Sequence, residues 1–216
     1  MGFRRHWRLP LVIIAAAIVA SGCIRRDSAA TWYIDPAGRV TWQVLERDVR
    51  SDSKTRSDRT NEEAAYLAKV STNNHGVARG LTRLGATQLK TTVLQDKPPF
   101  TVLTEGQFPG IDVLGQRIIQ RFGLAGTSEL IRDGDTWTWT LTVSDPKTAN
   151  GTPDDGDEFA ELLGDRLSVA LREGRFLSGI GFVMDDEARI ATMKKDDKLE
   201  IGEDGVLKLQ LRWEVK

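Results

Sequence analysis

Apolar residues recur along this chain at two spacings, every second residue and every third or fourth. The alternation of these rhythms lays out the elements. Trp32-Tyr33-Ile34 runs into Asp35-Pro36-Ala37-Gly38, a turn by composition, and Val40, Trp42 and Val44 follow at period two. That pattern predicts a hairpin. Residues 51–60 are polar without a rhythm and read as a loop. The loop ends at an N-cap, Thr60 or Asn61, with Glu62 and Glu63 in the first turn where the helix dipole favours acids. Leu67, Val70, Val77, Leu81 and Leu84 then form one helical stripe, interrupted at Asn73-Asn74-His75-Gly76 and capped by Gly85. A kink or a break into two helices is expected at the interruption. Leu89 to Leu94, a turn at Gln95–Pro99, and Phe100 to Thr104 form a second hairpin. Pro109 opens a further helix with Ile111, Leu114, Ile118 and Phe122 on one side, and Gly123 stops it.

The cleanest alternation follows. Leu130-Ile131-Arg132 and Thr136 to Val143 flank Asp133-Gly134-Asp135, a hairpin turn. In the second strand Trp137, Trp139, Leu141 and Val143 share one face and threonines the other. A polar loop over 144–156 leads to a short helix carrying Phe159, Leu162 and Leu163. The rest is strand-rich: Leu167, Val169 and Leu171; Gly179 to Met184 against Arg189 to Met193 around Asp185-Asp186-Glu187; a turn at Glu203-Asp204-Gly205; and Leu207 to Val215 alternating to the end. Hairpins with one polar face predict antiparallel sheet whose apolar face is covered by about three helices, an α+β fold. No linker divides residues 31–216, so they are expected to form one domain.

The amino end follows different rules. Met1 to Arg8 is basic and Leu9 to Ala20 is uncharged, mostly Leu, Val, Ile and Ala. This is the layout of an export signal. The apolar run is about a dozen residues, too short for a bilayer span of roughly 20. Val19-Ala20-Ser21-Gly22-Cys23 resembles the lipobox of bacterial lipoproteins. The resemblance implies that residues 1–22 are a signal peptide, that Cys23 takes diacylglycerol on its thiol, and that cleavage leaves it as an acylated first residue. Arg4-Arg5-His6-Trp7-Arg8-Leu9 also looks like a twin-arginine motif, although the strongly apolar run favours the general secretory route. Residues 23–30 read as the lipidated Cys and a short tether, at most roughly 25 Å long for seven residues, with Arg25 and Arg26 among the headgroups.

Composition then narrows the chemistry. Cys23 is the sole cysteine, so once lipidated it leaves no thiol for a disulfide, a metal or catalysis. Removing three arginines with the signal takes the formal charge from −1 to −4, and a mildly acidic chain without a basic stripe argues against nucleic acid. His75 is the one histidine outside the signal and reads as a surface or capping residue. Zinc sites of the usual kinds need more ligands than this. There is no Gly-x-Ser-x-Gly elbow and no phosphate loop, and Gly179-Ile180-Gly181 reads as a bulged or closely packed strand. Asp154-Asp155-Gly156-Asp157-Glu158 has the acid density of a calcium loop without its ligand spacing. No metal and no cofactor is expected.

What remains is aromatic. Trp42, Trp137, Trp139 and Trp213 lie on predicted strands. They form either core or a surface for a partner, an acyl chain or a flat glycan. The expectation is a lipoprotein of the bacterial envelope, held at a membrane through Cys23, with a non-catalytic binding or scaffold role towards an envelope protein or lipid. Lipid handling within an apolar cavity is one alternative. Hydrolysis of an envelope polymer by paired carboxylates is another. Ile24, where some lipoproteins carry an inner-membrane retention Asp, tilts the expectation towards the outer membrane.

Overall fold

A computed structural model describes residues 24–144, 167–194, 202 and 205–215. The described chain is mixed α+β and mostly sheet. Strand β1 (Ile24–Ile34) turns back into β2 (Val40–Ser51), and helices α1 (Arg56–Ser71) and α2 (Gly76–Arg83) follow. Next come β3 (Thr87–Gln95), β4 (Phe100–Phe108), α3 (Ile111–Arg121), β5 (Ala125–Asp133) and β6 (Thr136–Ser144). The later strands are β7 (Leu167–Leu171), β8 (Arg175–Ile180), β9 (Phe182–Met184), β10 (Ile190–Met193) and β11 (Val206–Glu214).

These strands form two sheets. One has the order β3-β4-β2-β1-β7-β10-β9, and the other β5-β6-β11-β8. The expected hairpins are all present: β1 with β2, β3 with β4, β5 with β6 and β9 with β10. The first turn shows why a short polar segment suffices. Asp35 Oδ1 accepts from the amides of Ala37 and Arg39 at 2.9 Å each, and Gly38 takes the left-handed φ of +81° that the turn requires.

Four expectations need correction. The sheets are not purely antiparallel, because β7 runs parallel to β1, pairing Ala30–Ile34 with Leu167–Leu171. The helices are not the main cover of the apolar faces. Trp32, Trp42 and Val169 of the first sheet share one core with Trp139, Leu211 and Trp213 of the second, so the sheets largely cover each other, with α2 and α3 closing the remainder. The segment 24–30 is no tether, since it is the first part of β1 and its register with β2 begins at Ile24↔Ser51. Gly179 to Met184 is two strands, β8 in the second sheet and β9 in the first, joined through Gly181 at φ +81°.

The helical stripe also divides. The break at 73–76 separates α1 from α2, and α1 begins at Arg56, capped by Thr55, whose hydroxyl accepts from the Asp58 amide at 3.2 Å. Val77, Leu81 and Leu84 enter the main core. Tyr66 and Val70 belong to a second, smaller core with Val49, Phe100 and Val102. Gly85, at φ +78°, follows α2 as its sequence position predicts. Pro109 lies before the cap of α3, which is Gly110. The expected short helix carrying Phe159, Leu162 and Leu163, the expected loop Asp154–Glu158, the expected signal segment over residues 1–22 and Cys23 lie outside the described residues.

Candidate functional site

The four tryptophans do not make a surface. Trp42, Trp139 and Trp213 are fully buried, and Trp137 is half-buried against the same core. Trp42 belongs to the first sheet and the other three to the second. The rings meet between the sheets: Trp32 lies edge-on to Trp42 at 5.3 Å and to Trp139 at 6.1 Å, and Trp137 stacks on Trp213 at 6.3 Å. Such pairs add about 0.5–1.5 kcal/mol each beyond the area they bury. Trp139 Nε1 donates to Ser128 Oγ at 3.0 Å. The aromatic strand face is core.

A polar cluster lies where the composition offers little sign of one, between the two cores. On β2 the inward series Val40, Trp42, Val44 continues to Glu46, which is buried completely. On β4 the inward series Phe100, Val102 continues to Thr104, also buried completely. From β1, Arg26 points to the same side, and its Nε lies 3.1 Å from Glu46 Oε1. His75, the N-cap residue of α2, inserts its ring from above. Its Nε2 is 3.0 Å from Thr104 Oγ1 and 3.5 Å from Glu46 Oε2. Thr91 Oγ1 lies 3.5 Å from Thr104 Oγ1.

The electrostatics hold this imidazole neutral. Burial is the largest cause, and the positive charges of Arg26 and Arg79 add to it, so the His75 pKa is lowered from 6.5 to about 4. Arg26 also sits against the Glu46 carboxylate that faces the ring. With a hydroxyl and a carboxylate both facing Nε2, the Nε2–H tautomer fits the site. Nδ1 is then a buried lone pair with no hydrogen-bond partner among the described residues. This arrangement differs from a hydroxyl–imidazole–acid relay, in which the acid orients the ring through the nitrogen opposite the nucleophile. Here acid and hydroxyl share one nitrogen, and His75, Glu46 and Thr104 are all buried. The expectation of a surface His75 is therefore corrected: its ring is a buried crosslink between α2, β2 and β4.

Other polar contacts secure the beginning of α1. Ser51 Oγ and Ser53 Oγ both donate to Glu62, the latter at 2.8 Å, and the Ser51 amide donates to Glu63 Oε1 at 3.1 Å. Glu62 and Glu63 thus fasten the end of β2 to the helix. Among the described residues no group of three or more His, Cys, Asp or Glu is placed to hold a metal ion, and no helix is long and apolar enough to cross a membrane.

The clearest positional fact concerns Cys23. In the sequence it immediately precedes Ile24, the first residue of β1. The second strand ends at Ser51, opposite Ile24, and β4 begins at Phe100, opposite Val49.

No protein-family model matches the chain, and no curated protein does. Among solved structures, the folded domain of the LppM protein of Mycobacterium tuberculosis superposes with a TM-score of 0.37 at 10% identity, over 93% of this chain and 95% of that one. The Mu homology domain of Fcho1 from Danio rerio, solved with a bound Eps15 peptide, gives a TM-score of 0.20 at 12% identity, over 89% of this chain and 80% of that one. Both overlaps are too low to carry a fold or a function across.

Proposed function

We propose that this chain is the precursor of a bacterial envelope lipoprotein whose α+β domain is held directly against a membrane by lipid on Cys23, in a non-catalytic binding or scaffold role. One observation carries the reading: the lipobox-like Val19-Ala20-Ser21-Gly22-Cys23 ends one residue before the first strand. A diacylglycerol and an amide-linked chain supply about 0.8 kcal/mol per buried methylene, enough for stable anchoring. The absence of a tether means that the anchor positions the domain as well as retaining it. The non-catalytic part of the proposal is supported by His75, the only histidine outside the signal, being shut inside the fold and held neutral.

Intact-mass measurement on the native protein tests it. The expected mass is that of residues 23–216 plus three acyl chains on a glycerol-modified Cys23. An unmodified Cys23, or a chain that retains residues 1–22, overturns the reading.

A further inference from the structure

We infer that the Cys23 end of the seven-stranded sheet is a membrane-seating surface, in which Arg25 and Arg50 take the phosphate of an anionic phospholipid and the β3–β4 tip enters the headgroup layer. The inference rests on the lipid anchor proposed above and adds which surface meets the bilayer and which lipid it selects.

Strand directions bring the parts together. From Ile24 the sheet runs β1, β2, β4, β3 with every neighbouring pair antiparallel. The start of β1, the end of β2, the start of β4 and the end of β3 therefore lie along one edge. The rungs Ile24↔Ser51, Val49↔Phe100 and Gln95↔Thr101 mark it. Three strand spacings of about 4.8 Å put the β3–β4 tip roughly 14 Å from Ile24, the residue that follows Cys23 in the sequence. A short anchor pulling on Cys23 therefore draws this edge towards the bilayer.

Two features of the edge suit a lipid surface. Arg25 and Arg50 face each other on one rung, and both are exposed. Like charges directly opposite each other destabilise a sheet unless an anion lies between them. Arg25 makes no ion pair among the described residues, and Arg50 reaches only Asp48 at 3.1 Å, with both side chains solvated. The remaining acid on the same strand, Asp27, is already opposite Arg47. The second feature is apolar. Leu94 is 57% exposed and Val93 39% at the end of β3, followed by exposed Gln95, Asp96, Lys97, Pro98 and Pro99 at the tip. Exposed apolar side chains with a lysine three residues on, which offsets Asp96, suit a segment at the boundary of headgroups and acyl chains.

The test uses the full lipidated protein reconstituted in vesicles of phosphatidylcholine, with and without phosphatidylglycerol. Lipidation of Cys23 leaves no other thiol, so Leu94→Cys takes a nitroxide label at one defined site. Ile131→Cys serves as the control, because Ile131 is 60% exposed on β5 and its neighbour Leu130 lies beside Gly38 in the β1–β2 turn, at the opposite end of the first sheet. The expected result is severalfold less collision of the label at 94 with a water-soluble nickel complex than of the label at 131, with the difference larger in phosphatidylglycerol. Arg25→Gln combined with Arg50→Gln should remove that phosphatidylglycerol increment, lowering the docked-to-free ratio on the order of tenfold. Equal nickel access at the two positions, with lipid on Cys23 verified by mass, overturns the seating surface and leaves the anchor reading standing. A phosphatidylglycerol increment that survives the double substitution overturns the role of the arginines. A Cys23 without lipid overturns both readings.

Discussion

Arg25 and Arg26 are adjacent and chemically identical, yet strand alternation sends them to opposite sides of the sheet. Arg26 faces a carboxylate with no access to water, while Arg25 stands in solvent. Removing one partner of a buried pair leaves an uncompensated charge and costs about 3–5 kcal/mol. Arg26→Ala is therefore expected to lower unfolding free energy by that amount, and Arg25→Ala by less than about 0.5; urea melts of the two variants check this. His75 makes a second prediction, in pH. The unfolded imidazole takes a proton near 6.5, whereas the folded one refuses it until about 4. Between those values the unfolded chain binds more protons, so stability is fully present above pH 6.5 and falls as pH drops towards 4. A shift of this size corresponds to a loss on the order of 3 kcal/mol. Melts from pH 7.5 to 4 should show it, and His75→Gln should flatten that part of the profile. Glu46 was legible to an extent, because it continues the period-two series of Val40, Trp42 and Val44, and an acid on an apolar face signals a buried partner. Nothing local to the sequence identifies Arg26 as that partner or places His75 over both.

At the scale of elements, alternation and turn chemistry governed the outcome wherever the pairing was local. The β6 face is the sharpest case: Trp139, Leu141 and Val143 are buried, and the intervening threonines are only half-buried. Truncating a core tryptophan costs about 3–5 kcal/mol. Trp139→Ala is thus expected to destabilise by several kcal/mol, and Thr138→Ala by under roughly 0.5. Equal losses by thermal melt would show that the face assignment is wrong. Helix α1 illustrates the opposite situation. Its first turns are almost entirely exposed, so no apolar rhythm marks them, and the segment 51–60 reads as loop although Thr55 caps a helix there. The Thr55–Asp58 pair at 2.5 Å was the available signal, a cap hydroxyl followed three residues later by an acid.

For the whole molecule, the decisive feature is that the first strand starts at the residue after Cys23. A flexible tether would let the domain sample many orientations, whereas a strand hydrogen-bonded from its first residue limits them. Cys23→Ser is expected to abolish lipidation, leaving an unprocessed or soluble form, while the melting temperature of the domain stays unchanged. Cell fractionation with a thermal melt of the purified variant checks both halves. A variant that remains with the membrane would show that another part of the chain holds it there. The two-sheet arrangement fits such a seat, because the main core lies between the sheets and the smaller core under α1 packs the inner side of this edge, leaving Arg25 and Arg50 exposed on its other side.

The sequence on its own specified neither the strand at 24–30 nor the division into β8 and β9. It did specify the hairpins, the helical break near His75, several turn glycines and the apolar face of the strands that alternate most cleanly, such as β2 and β6. Each of these rests on residues within a few positions of one another, where backbone preference and side-chain period act directly. Tertiary structure alone decided that the strands divide into two sheets and that β7 joins β1 in parallel across more than 130 residues. It also decided that the tryptophan faces bury each other instead of meeting a ligand, and that Arg26, Glu46, His75 and Thr104 converge. The reason is physical: period reports that a face is apolar but carries no record of what covers it. Partners distant in the chain are chosen by the total area buried and by the need to satisfy each enclosed charge.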